Sequence, residues 1–409
     1  MVSSLETFYW YIGIIFVLEL NANIIVRLLR KDFQWLITTQ DFFPTIDKKT
    51  LRKFLISGYD PELGWVRKPG TAKEEYGAQG KTKYSINDNG CRANPGHEKL
   101  PNIVSCYGDS FVFARQVNDD QTFAWYLSEM TNSNVLNFGV GNYGLDQSLL
   151  RLKREYPRNR TKVVIMGVVP STIVRILSVW KHYNEYGNIY GFKPRFILSN
   201  GKIELVKNII DDDHKFESYY KYLPEINRYD AFYETKFKKE MIIFPYFMSI
   251  IANPFRNIPL ISMVAYYRWF RNTCGGQGYP PPVNIIMKNN LHLRKALFLT
   301  NKNAKQLLEK IVLEFCSFGE INNFIPVFLW LPQKDDIFYI RTHGCYYHDF
   351  IGRIKGKVMV IDFASELMYR SDLDDLYSDN SRYGGHFSNK GNKVVAEIIY
   401  RELKRNNIL

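Results

Sequence analysis

Cysteine and histidine are scarce in this chain, five and seven among 409 residues. Cys91, Cys106, Cys274, Cys316 and Cys345 form no Cys-x-x-Cys pair and are odd in number, so no disulfide framework is implied. Zinc-finger spacing, a basic zipper and an RNA-binding sheet motif are all missing, which sets nucleic acid aside as a partner. No internal repeat or low-complexity tract interrupts the chain. Acidic residues are outnumbered 41 to 54, leaving a net charge of +13. A positive surface favours anionic partners, although a merely solvated basic surface accounts for it as well. The apolar N-terminus has no basic stretch before it and no small-residue cleavage site after it, which argues against a cleaved signal peptide.

What is present is a core. Hydrophobic residues make up 46% and charged residues 23%, the balance of a packed globular chain. The length predicts two or three units, or one domain carrying insertions. Residues 8–20, "FYWYIGIIFVLEL", are almost wholly apolar, and 23–29, "NIIVRLL", continue them. Residues 8–29 thus reach the roughly 20 residues that a membrane span needs, interrupted by Glu19, Asn21, Asn23 and Arg27. A membrane anchor over 1–35 is the favoured reading; an interfacial helix and a buried soluble helix are the alternatives. Arg27, Arg30 and Lys31 follow the apolar run, and the positive-inside rule would place that end in the cytoplasm.

Residues 36–100 read as an irregular lead-in of turns and short strands, rich in Gly, Pro, Asn and Lys. From 101 onward the pattern tightens. "PNIVSCYG", "NVLNFGV" and "KVVIMGVV" (162–169) read as buried strands, separated by helices over 119–131, with Asp119 or Asp120 as N-cap, and over 145–156. Leu149, Leu150 and Leu152 fall on the buried side of the second helix, and Cys106 reads as a buried small hydrophobe. "FIPVFLWLP" (324–332) and "KVMVIDF" (357–363) are further strands, and 392–405 is a closing amphipathic helix. Continuous apolar strands alternating with helices predict a mostly parallel sheet covered on both faces, a three-layer α/β/α sandwich over 101–409. The aromatic stretch at about 180–300 reads as an insertion, with a hairpin at 195–206 turned by Asn200-Gly201. The basic stretch 151–162 reads as a solvated helix face.

Ligands of open α/β sheets bind beyond the carboxyl ends of the strands. Four segments can meet there: "GDSF" at 108–111, "NFGVGNYGLDQ" at 137–147, "GVVPSTIVR" at 167–175, and "YGGHFSNKGN" at 383–392. Ser110, at an expected strand-to-helix turn, is a candidate nucleophile, with N–H groups of the helix start facing an oxyanion. A serine hydroxyl needs a base, and His386 is the candidate. Asp109 reads as structural, and Asp146 and Gln147 as helix-capping residues.

Taken in this order, the four blocks resemble the SGNH (GDSL-type) hydrolases, over about 100–178 and 320–405. The lead-in, the hairpin and the Glu19…Arg27 pattern also look like a membrane-anchored bacterial subgroup linked to cell-surface polysaccharide. The resemblance implies a flavodoxin-like SGNH fold and an ester hydrolase or O-acyl (acetyl) transferase with Ser110 and His386 as its catalytic pair. It implies an oxyanion hole from the Ser110 N–H, Gly141 or Asn142, and Thr172 in place of an asparagine, with Ser171 beside it. The family's aspartate, two or three residues before the histidine, is replaced by Tyr383 and Gly384. Asp379 is the nearest upstream carboxylate, with a backbone carbonyl as the other possible support for His386. The implied substrate is an acylated carbohydrate or a lipid ester, with no metal or organic cofactor. The implied location is extracytoplasmic, and polysaccharide-assembly proteins are conceivable partners. The alternative from another class is a membrane-tethered, non-catalytic glycan-binding or assembly protein that keeps this fold.

Overall fold

The computed structural model describes residues 4–33, 35–77, 80–274, 282–379 and 385–409. Its centre is a five-stranded parallel sheet: β1 Asn102–Gly108, β2 Asn134–Asn137, β3 Val163–Val168, β4 Ile325–Trp330 and β5 Met359–Asp362, in the order β5-β4-β3-β1-β2. β3 is buried along its whole length, which explains why its sequence is apolar at every position rather than alternating. Helices lie on both faces, as expected of a three-layer sandwich. α2 (Phe123–Thr131) and α8 (Asn389–Arg405) pack together, and α3 (Leu145–Glu155) packs with α7 (Lys302–Asn322). Leu149, Leu150 and Leu152 are all buried.

Chain order matters here. β2 lies on one side of β1 and β3 on the other, so the direction of winding reverses between β1 and β3. At such a switch point the loops leaving the two strands diverge and leave a crevice.

Three local expectations are corrected. The helix expected over 119–131 starts only at Phe123, capped by Thr122, whose Oγ1 accepts from the Trp125 N–H at 3.0 Å. Asp119 is not its cap. Its carboxylate pairs with the buried Arg92 at 2.8 Å and accepts from Ser85, because a buried guanidinium without a counter-charge would be far more costly than a lost cap. The basic stretch is not simply a solvated face. Arg151 is buried and donates to the carbonyls of Phe138 (2.8 Å) and Gly90 (2.7 Å), loop groups that the sheet does not satisfy. Arg154 pairs with Asp60 at 2.8 Å.

Between β3 and β4 the chain makes the hairpin Arg195–Ser199 with Lys202–Val206, turned by Asn200 (φ 48°) and Gly201 (φ 74°). It then makes α4 (Tyr246–Ala252), α5 (Pro254–Cys274) and α6 (Pro282–Thr300) before α7. At the N-terminus, α1 runs Ser4–Asp32, and its Glu6–Lys31 portion is long and apolar enough to cross a membrane, with mean hydropathy 2.0. Its C-terminal half does not stand apart from the rest. Val26, Leu29 and Phe33 form a core cluster with Leu36, Ile242, Leu260 and Val264. Cys91, Cys106 and Cys316 are buried free thiols.

Candidate active site

The site is assembled at the carboxyl ends of β1 and β3. Close approach of these strands requires glycine: a Cβ on Gly108 would lie 2.0 Å from the Gly167 carbonyl oxygen and 2.4 Å from Val112 Cγ2. Beyond Gly108 the chain does not enter a helix. It turns through 109–116, held by N–H donation from Phe113 to the Asp109 carbonyl (2.9 Å) and from Arg115 to the Ser110 carbonyl (3.1 Å). The expected helix start at Ser110, and with it a helix dipole aimed at an oxyanion, is therefore absent. A tight turn with left-handed Ala114 (φ 58°) and Gln116 (φ 68°) takes its place.

That turn brings Ser110 to His386. Ser110 Oγ lies 2.8 Å from His386 Nε2, across the fold from the segment that leads into α8. The other ring nitrogen, Nδ1, lies 2.9 Å from Gln116 Oε1. The same Gln116 oxygen accepts from the His386 backbone N–H at 3.1 Å and from Ser378 Oγ at 2.7 Å. A backbone N–H can only donate, so the atom that it meets has to be the amide oxygen. Nδ1, sharing that oxygen, then carries the ring proton, and Nε2 is left with its lone pair towards Ser110. One neutral side chain thereby sets the tautomer. The backbone of Ser378 closes the clamp by donating to the His386 carbonyl at 2.8 Å.

Gln116 thus holds the position for which Asp379 was the candidate. Asp379 lies on the same side of the site, where its carbonyl accepts from Lys334 Nζ at 3.0 Å, while the acceptor at Nδ1 of the His386 ring is Gln116. Tyr383 and Gly384 lie outside the described residues. Burial first, and then Arg115, Arg175 and Arg67, push the His386 pKa down to about 3.

Asp109 is fully buried and ties the loops together. It accepts from the N–H groups of Phe111 (2.9 Å) and Val169 (3.2 Å), and from Arg175 at 2.9 Å. Burial raises its pKa against those three donors, which act in the opposite sense. Arg175 also donates to the Tyr143 carbonyl at 3.0 Å, so one guanidinium links the β1, β2 and β3 loops.

Gly141 and Asn142 stand on the loop after β2, beside Val140, whose N–H is bonded to the Gly108 carbonyl at 2.9 Å. Asn142 is left-handed (φ 67°), and the Gly141 carbonyl accepts from Trp65 Nε1 at 2.9 Å. Among the described residues, no acceptor is bonded to the N–H of Ser110, Gly141 or Asn142. Thr172 is placed differently from the expectation. It has no exposed surface, and its hydroxyl accepts from the Leu145 N–H at 2.9 Å, tying the β3 loop to the start of α3. Ser171 is bonded to Gln333. Asp146 and Gln147 do serve the start of α3, and Asp146 is also ion-paired with Lys193 at 2.5 Å.

A cavity of about 510 Å³ opens next to this edge, lined among others by Trp65, Arg67, Arg115, Asn142, Lys181 and Tyr190. Its cations are balanced in part by Glu75, which accepts from Arg115 at 3.1 Å, and by Glu185, paired with Lys181 at 2.9 Å. Rings beside fixed charges suit a polar ligand with flat apolar faces.

Gln116, Ser378, Arg175 and Arg115 have no signature in the sequence. The one available signal was negative: with no carboxylate just before His386, its partner had to come from elsewhere. No protein-family model and no curated protein matches the chain. A solved structure from Desulfitobacterium hafniense DCB-2, described as that of a lipolytic protein of the G-D-S-L family, is similar to it. The likeness has 14% sequence identity and a TM-score of 0.32, over 74% of this chain and 99% of that one.

Proposed function

We propose that this chain is a serine-dependent ester hydrolase or O-acyl transferase, acting on an acylated carbohydrate or a lipid ester. The observation that carries the reading is the relay Ser110 Oγ to His386 Nε2, with Nδ1 held by the Gln116 amide oxygen. Ser110 attacks the acyl carbonyl carbon while its proton passes to Nε2. The N–H groups of Ser110, Gly141 and Asn142 are the donors available to the tetrahedral oxyanion. Collapse of that intermediate expels the alcohol, which takes the proton back from Nε2. Water or a second hydroxyl, deprotonated by the same nitrogen, then attacks the acyl-enzyme, and Nε2 returns that proton to Ser110 Oγ as the acyl group leaves. Thr172, engaged with Leu145, is not needed in this scheme. The α1 helix would hold the site at a membrane, on the extracytoplasmic side, where esters of cell-surface glycans are found.

A non-catalytic glycan-binding role is the second reading. The neutral amide on Nδ1 favours it, because an amide stabilises an imidazolium less than a carboxylate does.

The test is hydrolysis of p-nitrophenyl acetate by the full chain in detergent, beside Ser110→Ala and His386→Ala. The full chain is required because α1 contributes to a core cluster. Turnover abolished in both variants is the expected result. Turnover that is absent in the parent, or unchanged in Ser110→Ala, would overturn the enzyme reading in favour of binding.

A further inference from the structure

Glu19 poses a problem. It lies in the middle of the helix that, among the described residues, is long and apolar enough to cross a membrane, where an unpaired carboxylate is costly. The structure gives it partners from far along the chain. Its two carboxylate oxygens accept from the backbone N–H groups of Tyr246 (2.6 Å) and Phe247 (2.8 Å), the first residues of α4. The carboxylate is thereby satisfied by donors that a helix start leaves open. The next helix follows the same neighbour. Arg268 of α5 donates to the Leu28 carbonyl at 2.9 Å, and Leu260 and Val264 pack in the cluster with Val26 and Leu29. The insertion is therefore built along the flank of α1.

The outer side of this pair of helices is apolar. Phe244 (67% exposed), Met248 (54%), Phe255 (95%) and Trp269 (58%) face outward, with Ile251 and Ile258 between them. From Ile243 to Tyr267 the sole charged side chain is Arg256, and it is turned inward, its guanidinium 3.6 Å from the Glu240 carboxylate. α1 itself is exposed and apolar from Phe8 to Leu18. The two surfaces are continuous through the Glu19 contact. We infer that α4 and α5 are a second membrane-contacting element, which enters one leaflet of a phospholipid bilayer beside α1.

Depth supports a single leaflet. Glu19 is eight residues from Arg27 and twelve from Lys31 along α1, or about 12–18 Å at 1.5 Å per residue. Half of a hydrocarbon core is about 15 Å. With Arg27, Arg30, Lys31, Arg268 and Arg271 at headgroup level, the start of α4 reaches towards the midplane and the hairpin returns. Neither helix carries a span of its own, since Glu6–Lys31 is the one candidate among the described residues. Backbone groups in hydrocarbon need partners, and the Glu19 carboxylate supplies two at the point where a helix start would otherwise be bare. The inference does not depend on the reaction proposed for Ser110.

The experiment is photolabelling of the full chain in phosphatidylcholine–phosphatidylglycerol nanodiscs that contain a diazirine phosphatidylcholine, with adducts mapped by mass spectrometry. Expected are adducts on 8–20 and also on 243–270, and none around Tyr369, an exposed ring of the α/β domain. The substitutions Phe255→Asp and Met248→Asp together, both at exposed positions, should remove the adducts from 243–270 and leave those on 8–20. Adducts confined to 8–20 would overturn the inference, whether 243–270 is then open to hydroxyl radicals in water or shielded by a protein. Hairpin adducts unchanged by the double substitution would overturn it as well.

Discussion

Gln116 is the residue on which the candidate chemistry turns. Its oxygen gathers three donors and so fixes both the position and the tautomer of His386. A charged acceptor there would hold the imidazolium more firmly. Gln116→Glu is expected to raise the His386 pKa from about 3 towards the ordinary value and to place an acid limb in the pH profile of kcat/KM. The parent should show no such limb near the unperturbed histidine pKa of about 6.5. At pH 8 the variant should turn over p-nitrophenyl acetate roughly tenfold faster, a small part of what a positioned base supplies. Identical pH profiles for parent and variant would exclude the Nδ1 contact as the source of the base strength.

At the scale of elements, the site depends on how loops are pinned to the sheet and to the last helix. Ser388 caps α8 by accepting from the Gly391 N–H at 3.1 Å, and its own N–H is bonded to the Leu376 carbonyl at 2.9 Å. Gly391 has no room for a side chain: a Cβ would stand 2.1 Å from that carbonyl oxygen. Gly391→Ala is expected to push the start of α8 off the 376 loop and move His386 away from Ser110, lowering both the melting temperature and the esterase rate. A variant that melts earlier yet keeps its rate would show that the His386 segment does not depend on this contact. On the other side of the site, Arg175→Met strands the fully buried Asp109 carboxylate. Breaking one half of a buried pair costs roughly 3–5 kcal/mol, so denaturant unfolding should shift by that order. A shift below about 1 kcal/mol, typical of exposed pairs, would mean that Asp109 is neutral or solvated.

For the whole molecule, acid stability should reflect histidines that are held neutral. Burial pushes His386 to about 3 and His182 to about 4, both below the unfolded value. The unfolded chain then binds protons that the folded chain refuses. The stability that these rings contribute is complete above about pH 6.5 and is lost as pH falls from there towards the folded values. Thermal scans between pH 7 and pH 4 should show a falling midpoint, and a flat midpoint would contradict the burial of these rings. Removal of residues 1–35 bares the faces of Leu260, Val264 and Ile242. That fragment should aggregate without detergent, as gel filtration would show, whereas a monodisperse fragment would mean that α1 is dispensable for the insertion.

Much of this architecture is local information. Apolar runs of strand length, spaced by helices with one buried face, carry the sheet and its two covering layers, because each element's own periodicity reports which of its faces is buried. "GDS" after the first strand and a histidine before the last helix carry the candidate pair for the same reason, since each position follows from a neighbouring element. The turn at 109–116, in place of the expected helix start, is not legible in the sequence, because left-handed Ala114 and Gln116 are not turn signals by residue type. The partner of His386, the role of Thr172 as a tie, the burial of Arg151 and the pairing of Glu19 with α4 were decided by tertiary structure alone. Each is a hydrogen bond between segments far apart in the chain, and such bonds leave no period in either segment. What the sequence by itself determined is where the strands end; what only the folded chain decided is which side chains meet there.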